Sequence, residues 1–193
     1  MKKIFLLFAV AILMIACNKD DEAPQPTPEP TEIEKLPPAT QTGANKVGCL
    51  LNGKAFLPVG SLTGSSNPYC GYYHDEFALV FRIVKNNDNI TGNGTEAVAL
   101  YSSNVILEED TKYILKDYAQ NHSANYSISI YPNVNNYETN NGYTGELHIT
   151  KLDKEKNIIS GTFWFDAVNE QGKKVEIREG RFDMVFEGWA GKV

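Results

Sequence analysis

Hydrophobic residues recur with a period of two along most of the chain after residue 46. The alternation between apolar and polar positions is clearest in residues 126–130 and 145–150. Successive side chains of a β-strand point to opposite faces, so this pattern predicts strands with one buried face and one wet face. Residues 104–118 are the one window of a dozen residues or more with an approximately helical spacing, and there residues 108–110 favour a turn before a strand. The pattern as a whole therefore predicts an all-β fold.

Turn residues divide these apolar runs into short strands. Residues 47–51 and 54–57 flank Asn52-Gly53, a pair that adopts the positive φ angles of a type I′ turn, so the sequence predicts a two-residue hairpin here. Residues 77–84 are apolar on both faces apart from Arg82, which predicts a strand in a covered part of the sheet. Further strands are predicted at residues 96–101, 111–116, 126–131, 145–152, 157–166, 173–178 and 181–187.

The aromatic strand 159–165 indicates how the core is filled. Alternation places Trp164 on the face opposite to the core, and the residues predicted to point inward here and in the last strand are Ile159, Gly161, Phe163, Phe165, Phe182, Met184 and Phe186. Every connection is short enough to join antiparallel neighbours. We therefore predict a single antiparallel two-layer β-sandwich, with an up-and-down β-barrel as the alternative.

The N-terminus carries a different pattern. Lys2 and Lys3 precede twelve uninterrupted apolar residues, 4–15, which is typical of a secretory signal peptide. As a helix this run reaches only ~18 Å, less than the ~30 Å of a bilayer core. Ile15-Ala16-Cys17 resembles a bacterial lipobox, so residues 1–17 are predicted to be a lipoprotein signal peptide with Cys17 as the lipidation site and membrane anchor.

The residues after Cys17 indicate an export signal and a spacer. Lys19, Asp20, Asp21 and Glu22 resemble the signal that carries Bacteroidetes lipoproteins to the outer face of the outer membrane, although a charged run is also typical of a solvated spacer. Residues 23–38 hold six of the nine prolines. We expect an acidic, Pro-rich tether over residues 18–46, a β domain over 47–193, and a lipid-anchored location on the outer membrane, facing outside.

Charge narrows the range of partners. The chain has 18 basic and 24 acidic residues, a net charge of −6, and becomes more negative once Lys2 and Lys3 leave with the signal peptide. Such a surface repels phosphate backbones, and no cluster of Lys and Arg interleaved with aromatic residues is present. The sequence therefore predicts no nucleic-acid partner.

Three cysteines fit an exported protein. With Cys17 lipidated, Cys49 and Cys70 are the remaining pair in an oxidising compartment, and we predict a disulfide between them. Two free buried thiols are the first alternative. A catalytic or metal site formed by Cys70 with His74 is the second, but zinc sites use four clustered ligands, so no metal and no cofactor is predicted.

Segments near both ends of the mature chain carry a family resemblance. Residues 36–45 running into 48–53, together with 159–163, 166–167 and 180–183, resemble a family of uncharacterised Bacteroidetes surface lipoproteins. The similarity spans nearly the whole mature domain, except for residues 189–193, which do not fit the family pattern. It implies an all-β lipoprotein without an assigned activity and supplies no catalytic residues.

Catalytic motifs are absent from the sequence. There is no nucleophile elbow, zinc-binding helix, Walker loop or dinucleotide fingerprint. The three histidines are isolated, and the acidic pairs Glu108 with Asp110 and Asp75 with Glu76 are sequence neighbours, which rarely face each other across the gap that glycoside hydrolysis requires. We predict that the protein is not an enzyme.

Two tyrosine-bearing segments are the candidates for binding. Residues 67–75 contain Tyr69, Tyr72 and Tyr73, and residues 131–143 combine Tyr137 and Tyr143 with asparagines. Tyrosine offers a flat apolar surface together with a hydroxyl, which suits glycans or protein surfaces, although the same residues also cap β cores and form turns. The sequence thus favours a non-catalytic binding or accessory module, with a structural envelope component or a glycan-acting hydrolase as alternatives.

Overall fold

The computed structural model describes residues 29–62, 64–73, 76–85, 94–130 and 132–188. The predicted signal peptide, the lipidation site Cys17, the export signal at Lys19 to Glu22, and residues 74, 131 and 189–193 lie outside the described residues. Within them the fold is all-β, as the sequence predicts: eleven strands form one antiparallel sheet. In the described ranges no α-helix forms, and therefore no helix there is long and apolar enough to cross a membrane.

The strands follow one another through short turns. Their bounds are β1 Lys46–Leu51, β2 Lys54–Phe56, β3 Tyr69–Tyr73, β4 Glu76–Lys85, β5 Gly94–Ser103, β6 Thr111–Leu115, β7 His122–Ile130, β8 Asn133–Glu138, β9 Gly145–Asp153, β10 Ile158–Val168 and β11 Lys174–Val185. One 3₁₀ turn, Tyr118–Gln120, lies between β6 and β7.

The sheet has two halves that meet at β10. The strand order is β2-β1-β11-β10-β8-β7-β5-β4-β3, and β9 and β6 continue from β10 beside the first half. Strand β10 pairs with β9 along most of its length and with β8 at Val168 and Glu138. The order ends at β2 and β3, so the sheet is open and differs in this from the barrel alternative.

Aromatic side chains join the inner faces of the two halves. The ring of Phe81, from β4, lies 5.7 Å from that of Phe56 and 6.2 Å from that of Phe163, both on the other half. Tyr72 contacts Phe186 in the same way, with ring centroids 5.6 Å apart. The halves therefore pack face to face around one core, which is consistent with the predicted β-sandwich.

The predicted core residues are buried as expected. Ile159, Phe163 and Phe165 of β10 are inaccessible or nearly so, as are the three apolar residues after position 181, Phe182, Met184 and Phe186. Trp164 is exposed on the opposite face. The Asn52-Gly53 hairpin is also confirmed, with φ angles of 48° and 79° that place both residues in the left-handed region.

Three strand assignments differ from the sequence prediction. Strands β3 and β8 occupy the two tyrosine-bearing segments that were expected to be loops. The predicted strands 173–178 and 181–187 form one strand, β11, whose register against β10 shifts between Phe163 and Phe165. Strand β3 alternates Tyr with Cys and Gly, and β8 consists mainly of Asn, Tyr and Glu, so the polarity pattern does not separate the buried positions from the exposed ones.

The end of the predicted tether is part of the folded domain. Glu32 accepts a hydrogen bond from the backbone N–H of Ala55 at 2.7 Å, and Leu36 is buried. Residues 39–45, which we call the N-terminal strap, lie along the end of β11. The carboxylate of Asp183 accepts hydrogen bonds from Thr40, Thr42, Gly43 and Ala44 of this strap. The folded domain consequently begins well before residue 47, because a buried carboxylate holds the strap by its N–H and O–H groups.

Candidate functional site

The outer face of the second half, β3-β4-β5-β7-β8, carries a groove lined by tyrosines. Alternation along β3 and β5 turns Tyr69, Tyr73 and Tyr101 outward, while small residues such as Ala78 and Ser123 form the floor between them. The groove consists of two adjoining cavities of about 410 and 180 Å³. We call it the tyrosine groove; its side chains include Tyr69, Tyr73, Glu76, Tyr101, Asp117, Tyr118, Asn125, Glu138, Asn140, Asn169 and Glu170.

Tyr118 separates the two cavities and lines both. It begins the 3₁₀ turn, which Asp117 caps by accepting the backbone N–H of Ala119 at 3.0 Å. The Tyr118 hydroxyl donates to Glu76 at 3.2 Å, so the ring is fixed over the outer face of β4. With 57 % of its surface exposed, the ring is a platform that a ligand can reach from either cavity.

The groove is acidic and rich in hydrogen-bonding groups. Its described lining includes Glu76, Asp117, Glu138 and Glu170 but no Lys, Arg or His. In the part of the chain that the structure describes, the side chains of Asn125, Glu138 and Glu170 have no hydrogen bond or ion pair with protein. These three side chains are thus available to the hydroxyl or amine groups of a ligand.

Two tyrosines of the groove, Tyr69 and Tyr101, have raised pKa values and keep their protons at neutral pH. Burial, opposed by the charge of Arg82, raises the pKa of Tyr101. Burial, together with the charge of Glu187, also raises the pKa of Tyr69. An un-ionised tyrosine carries an O–H donor and an acceptor lone pair, so both rings can donate to a ligand oxygen as well as stack on an apolar surface.

The five tyrosines predicted as binding residues are divided by the structure. Tyr69 and Tyr73 lie in the groove, and Tyr73 is 71 % exposed. Tyr72 and Tyr137 instead point into the core, where Tyr72 packs on Phe77 and Tyr137 on Tyr126, so neither is available to a ligand. Tyr143 lies outside the groove lining, with the ammonium of Lys174 4.9 Å from its ring centroid.

Sequence reasoning missed two residues of the groove, Tyr101 and Tyr118. The sequence prediction places Tyr101 at the end of an ordinary strand, 96–101, and gives Tyr118 no part in a site. Their place follows from the strand pairing, since Tyr101 lies opposite Ala78 on one side and Ser123 on the other. If the sequence had predicted a strand at β3, it would have identified part of the groove, because Tyr69, Gly71 and Tyr73 must share one face of such a strand.

The predicted disulfide is not present. Cys49 and Cys70 are free thiols buried in the core. They lie on β1 and β3, strands that are not neighbours in the sheet, and pair with Phe56 and Leu79 respectively. Burial raises the pKa of both thiols, which keeps them protonated and unreactive.

Two further arrangements bring together side-chain types that catalysts use. Ser102 lies 2.9 Å from Nδ1 of His122, yet Ser102 has no exposed surface, so a substrate cannot reach its hydroxyl. His148 lies on the polar face of β9, as predicted, 3.3 Å from Asp110. No group of three or more His, Cys, Asp or Glu side chains among the described residues could hold a metal ion.

A larger groove of about 720 Å³ lies between the N-terminal strap and the segment after β2. Its wall is mainly Pro and aliphatic residues, and most of its polar side chains are already used within the protein. Thr40 and Thr42 bind Asp183, Asn45 accepts the backbone N–H of Val185, and Asn67 bonds the backbone of Arg82. We therefore take the tyrosine groove as the candidate site, because its polar groups converge on open space.

Comparison with known proteins gives a family but no activity. No curated protein and no solved structure matches the chain. One family profile, described as a domain of unknown function (DUF6252), matches residues 82–185. This region runs from β4 to β11 and includes most of the tyrosine groove, and it is more than half of the chain. The chain therefore belongs to the family of the domain of unknown function DUF6252.

Proposed function

We propose that the protein is an outer-membrane lipoprotein, facing outside, whose β domain is a non-catalytic module that binds a neutral glycan in the tyrosine groove. The observation that carries this proposal is the convergence of Tyr69, Tyr73, Tyr101 and Tyr118 with carboxylate and amide side chains on one outer face. Aromatic rings cover the apolar faces of sugar rings, and carboxylates and amides bind their hydroxyl groups.

The charge of the groove sets the class of glycan. Four acidic side chains line the groove and no Lys, Arg or His is in its described lining, so it would repel a sulfated, phosphorylated or uronate-rich polymer. A neutral polysaccharide has no such penalty, and its hydroxyl groups can donate to Glu138 and Glu170. Two adjoining cavities that share Tyr118 would accept neighbouring sugar units of one chain.

The location is supported by the first 22 residues. The apolar run 4–15, the lipobox ending at Cys17 and the acidic residues after Lys19 together resemble the leader of surface lipoproteins of the Bacteroidetes. Lipidation of Cys17 would hold the domain at the outer membrane while the Pro-rich segment separates it from the bilayer. A glycan-binding module in this position would capture polysaccharide for other proteins of the same membrane.

Affinity electrophoresis through gels containing neutral polysaccharides tests the binding. The mature lipidated protein in detergent should be retarded by at least one of xylan, mannan, β-glucan or starch, and Tyr118→Ala should remove most of the retardation. Val134→Ala is the matched control, because Val134 is exposed on the same outer face but lies outside the groove.

Four outcomes would overturn the proposal. Equal retardation of Tyr118→Ala and Val134→Ala would show that the tyrosine groove is not the binding site. If none of the neutral polymers retards the protein, a neutral glycan is not its ligand. Release of reducing ends from a retained polymer would instead indicate a hydrolase, and stable co-purification with a membrane assembly without retardation would indicate a structural envelope component.

A further inference from the structure

The opposite outer face of the sheet, on β9, β10 and β11, carries an exposed tryptophan. Trp164 has 41 % of its surface exposed and lies in a groove of about 400 Å³. We call it the Trp164 groove; its lining is Ala39, Glu146, Thr162, Phe163, Trp164, Arg178, Glu179, Gly180 and Arg181. An indole ring that keeps this much of its surface outside the core can contact a ligand through its apolar face and its N–H group.

A β-bulge builds this groove. Phe163 pairs with Gly180 and Phe165 with Ile177, so Trp164 alone on β10 faces both Arg178 and Glu179 on β11. Glu179 has a φ angle of 53°, whereas the other non-glycine residues with positive φ in the described chain are all Asn or Asp. Asn and Asp tolerate this conformation and Glu does not, so the bulge stores backbone strain. Strained bulges of this kind commonly direct side chains at binding sites.

Arg178 holds the tryptophan rather than facing solvent freely. Its guanidinium donates to the carbonyl oxygens of Phe165 and Ile177 at 3.1 and 2.9 Å and to Asp166 at 2.6 Å. The same guanidinium lies 5.6 Å from the centroid of the Trp164 ring. The cation–π contact and the fixed hydrogen bonds orient the ring before a ligand arrives, which lowers the entropic cost of binding.

The charges of the Trp164 groove balance. Arg178 and Arg181 face Glu146 and Glu179, and Arg181 already donates to the backbone and the carboxylate of Glu179 at 3.2 and 3.4 Å. Glu146 pairs with Lys112 at 3.0 Å. Within the described residues, the indole N–H of Trp164 and the hydroxyl of Thr162 have no protein partner. A ligand without net charge, with an apolar face for the ring and hydroxyls for these two groups, fits this set.

We propose that the Trp164 groove is a second carbohydrate-binding site, in which Trp164 stacks on a sugar ring of a neutral glycan. Thr162 and the indole N–H bind hydroxyl groups at the edge of that ring. The site lies on the other half of the sheet from the tyrosine groove, so the two grooves face away from each other and do not share residues. The inference goes beyond the proposed function, because it does not depend on what the tyrosine groove binds.

Tryptophan fluorescence reports this site alone. The chain has two tryptophans, Trp164 and Trp189, so mature Trp189→Phe protein has Trp164 as its single indole fluorophore. Titration with xylohexaose, mannohexaose, cellohexaose and maltohexaose should give a saturable change in emission for at least one of them. Oligogalacturonate of the same length, which carries a carboxylate on each unit, should bind at least tenfold more weakly.

Variants separate the two grooves. In isothermal titration with the oligosaccharide so identified, Trp164→Ala should weaken binding to this site at least tenfold, and Val185→Ala should not. Val185 is matched to Trp164 because it is 42 % exposed on the same half but outside the groove. Tyr118→Ala in the Trp189→Phe background should leave the emission change intact, so loss of the tyrosine groove and loss of this site give different results.

The proposal fails on any of three results. These are an emission that none of the four neutral hexasaccharides changes saturably, an affinity that is the same in Trp164→Ala and Val185→Ala, and a preference for oligogalacturonate.

Discussion

The hydroxyl of Thr40 donates to the carboxylate of Asp183 across 2.6 Å, although the two residues are 143 positions apart in the chain. Asp183 is 1 % exposed and accepts further hydrogen bonds from Ser160 and from the backbone N–H groups of Thr42 and Gly43. This carboxylate thus joins the N-terminal strap to β10 and β11 at one point.

Replacement of Asp183 tests the strength of that contact. Asp183→Asn exchanges one acceptor oxygen for an NH₂ group and leaves buried N–H and O–H donors without a partner, so we expect a loss of about 3 kcal/mol in the free energy of unfolding at pH 7. Urea denaturation measures it. Asp153→Asn is the control, because one Asn oxygen can still accept the two N–H groups that Asp153 Oδ1 binds in its turn. Equal stability of the two variants would contradict this role of Asp183.

The same contact predicts how stability depends on pH. Burial disfavours the ionised form of Asp183, but hydrogen bonds from Thr40, Thr42, Gly43 and Ser160 outweigh it and hold the pKa of this carboxyl well below its usual range. A lowered pKa in the folded state stabilises the fold fully above the unfolded value of about 4, and this stabilisation is lost as the pH falls toward the folded value. The difference between the parent and Asp183→Asn should therefore be constant above pH 5 and shrink below pH 4.

Alkylation tests whether the two cysteines of the core are free, buried thiols. Cys49 and Cys70 are both buried, and burial raises the pKa of each thiol. Native mature protein with Cys17 lipidated should take up no iodoacetamide at pH 8, and unfolded protein should take up two equivalents without prior reduction. Intact mass measures both. Uptake of two equivalents only after reduction would show that Cys49 and Cys70 are disulfide-bonded in the protein.

Fold class could be predicted from the sequence because one observable, the period of two, carries it. Strand β10 shows the strength of this signal: Phe163 and Phe165 are buried, and Trp164 between them is exposed. The period of two does not identify β3 and β8, because tyrosine, which suits buried and exposed positions alike, occurs in both strands. Tyr72 and Tyr73 have the same chemistry and are neighbours, yet one fills the core and the other faces solvent, and only knowledge that they lie in a strand assigns them.

The candidate site could be predicted only in part, since its members come from distant segments. Tyr69 and Tyr73 carried a local signal, the cluster of tyrosines, whereas Tyr101 reaches the groove through its pairing with Ala78 and Tyr118 through a 3₁₀ turn. The strap shows the same limit. Nothing near Thr40 in the sequence indicates that its partner is Asp183, because register across a sheet is set by the packing of the whole domain.

Anchoring is predicted by the lipobox. Cys17→Ala removes the thiol that would carry the lipid, so we expect the protein to leave the membrane fraction and appear in the soluble fraction. Fractionation followed by immunoblotting measures this, with Cys49→Ala as a control that removes a different thiol. Unchanged membrane association of Cys17→Ala would show that the protein is not held by a lipid on this residue.

Surface exposure is predicted by the residues that follow Cys17. Replacement of Lys19, Asp20, Asp21 and Glu22 by alanine should lower the cleavage of the protein by protease added to intact cells, while the total amount of protein stays the same. Replacement of Glu29, Glu108 and Lys173, which are charged and exposed but lie beyond the proposed signal, is the matched control. Equal cleavage of both variants would indicate that the charged run is a spacer.

Backbone strain at the Trp164 groove predicts that a substitution which relieves it will raise stability and weaken ligand binding. Glu179 has a φ angle of 53°, a conformation that costs a residue with a Cβ roughly 1–2 kcal/mol but costs glycine nothing. Because glycine also gains entropy in the unfolded state, Glu179→Gly should stabilise the protein by only about 0.5–1 kcal/mol, which thermal unfolding detects as a rise of about 1–4 °C in Tm. Glu179→Gln keeps the strain and removes the charge, so its Tm should stay near that of the parent, and both variants should bind the neutral oligosaccharide more weakly. A Tm no higher for Glu179→Gly than for Glu179→Gln would mean that the bulge is not strained and that Glu179 is not held there for the ligand.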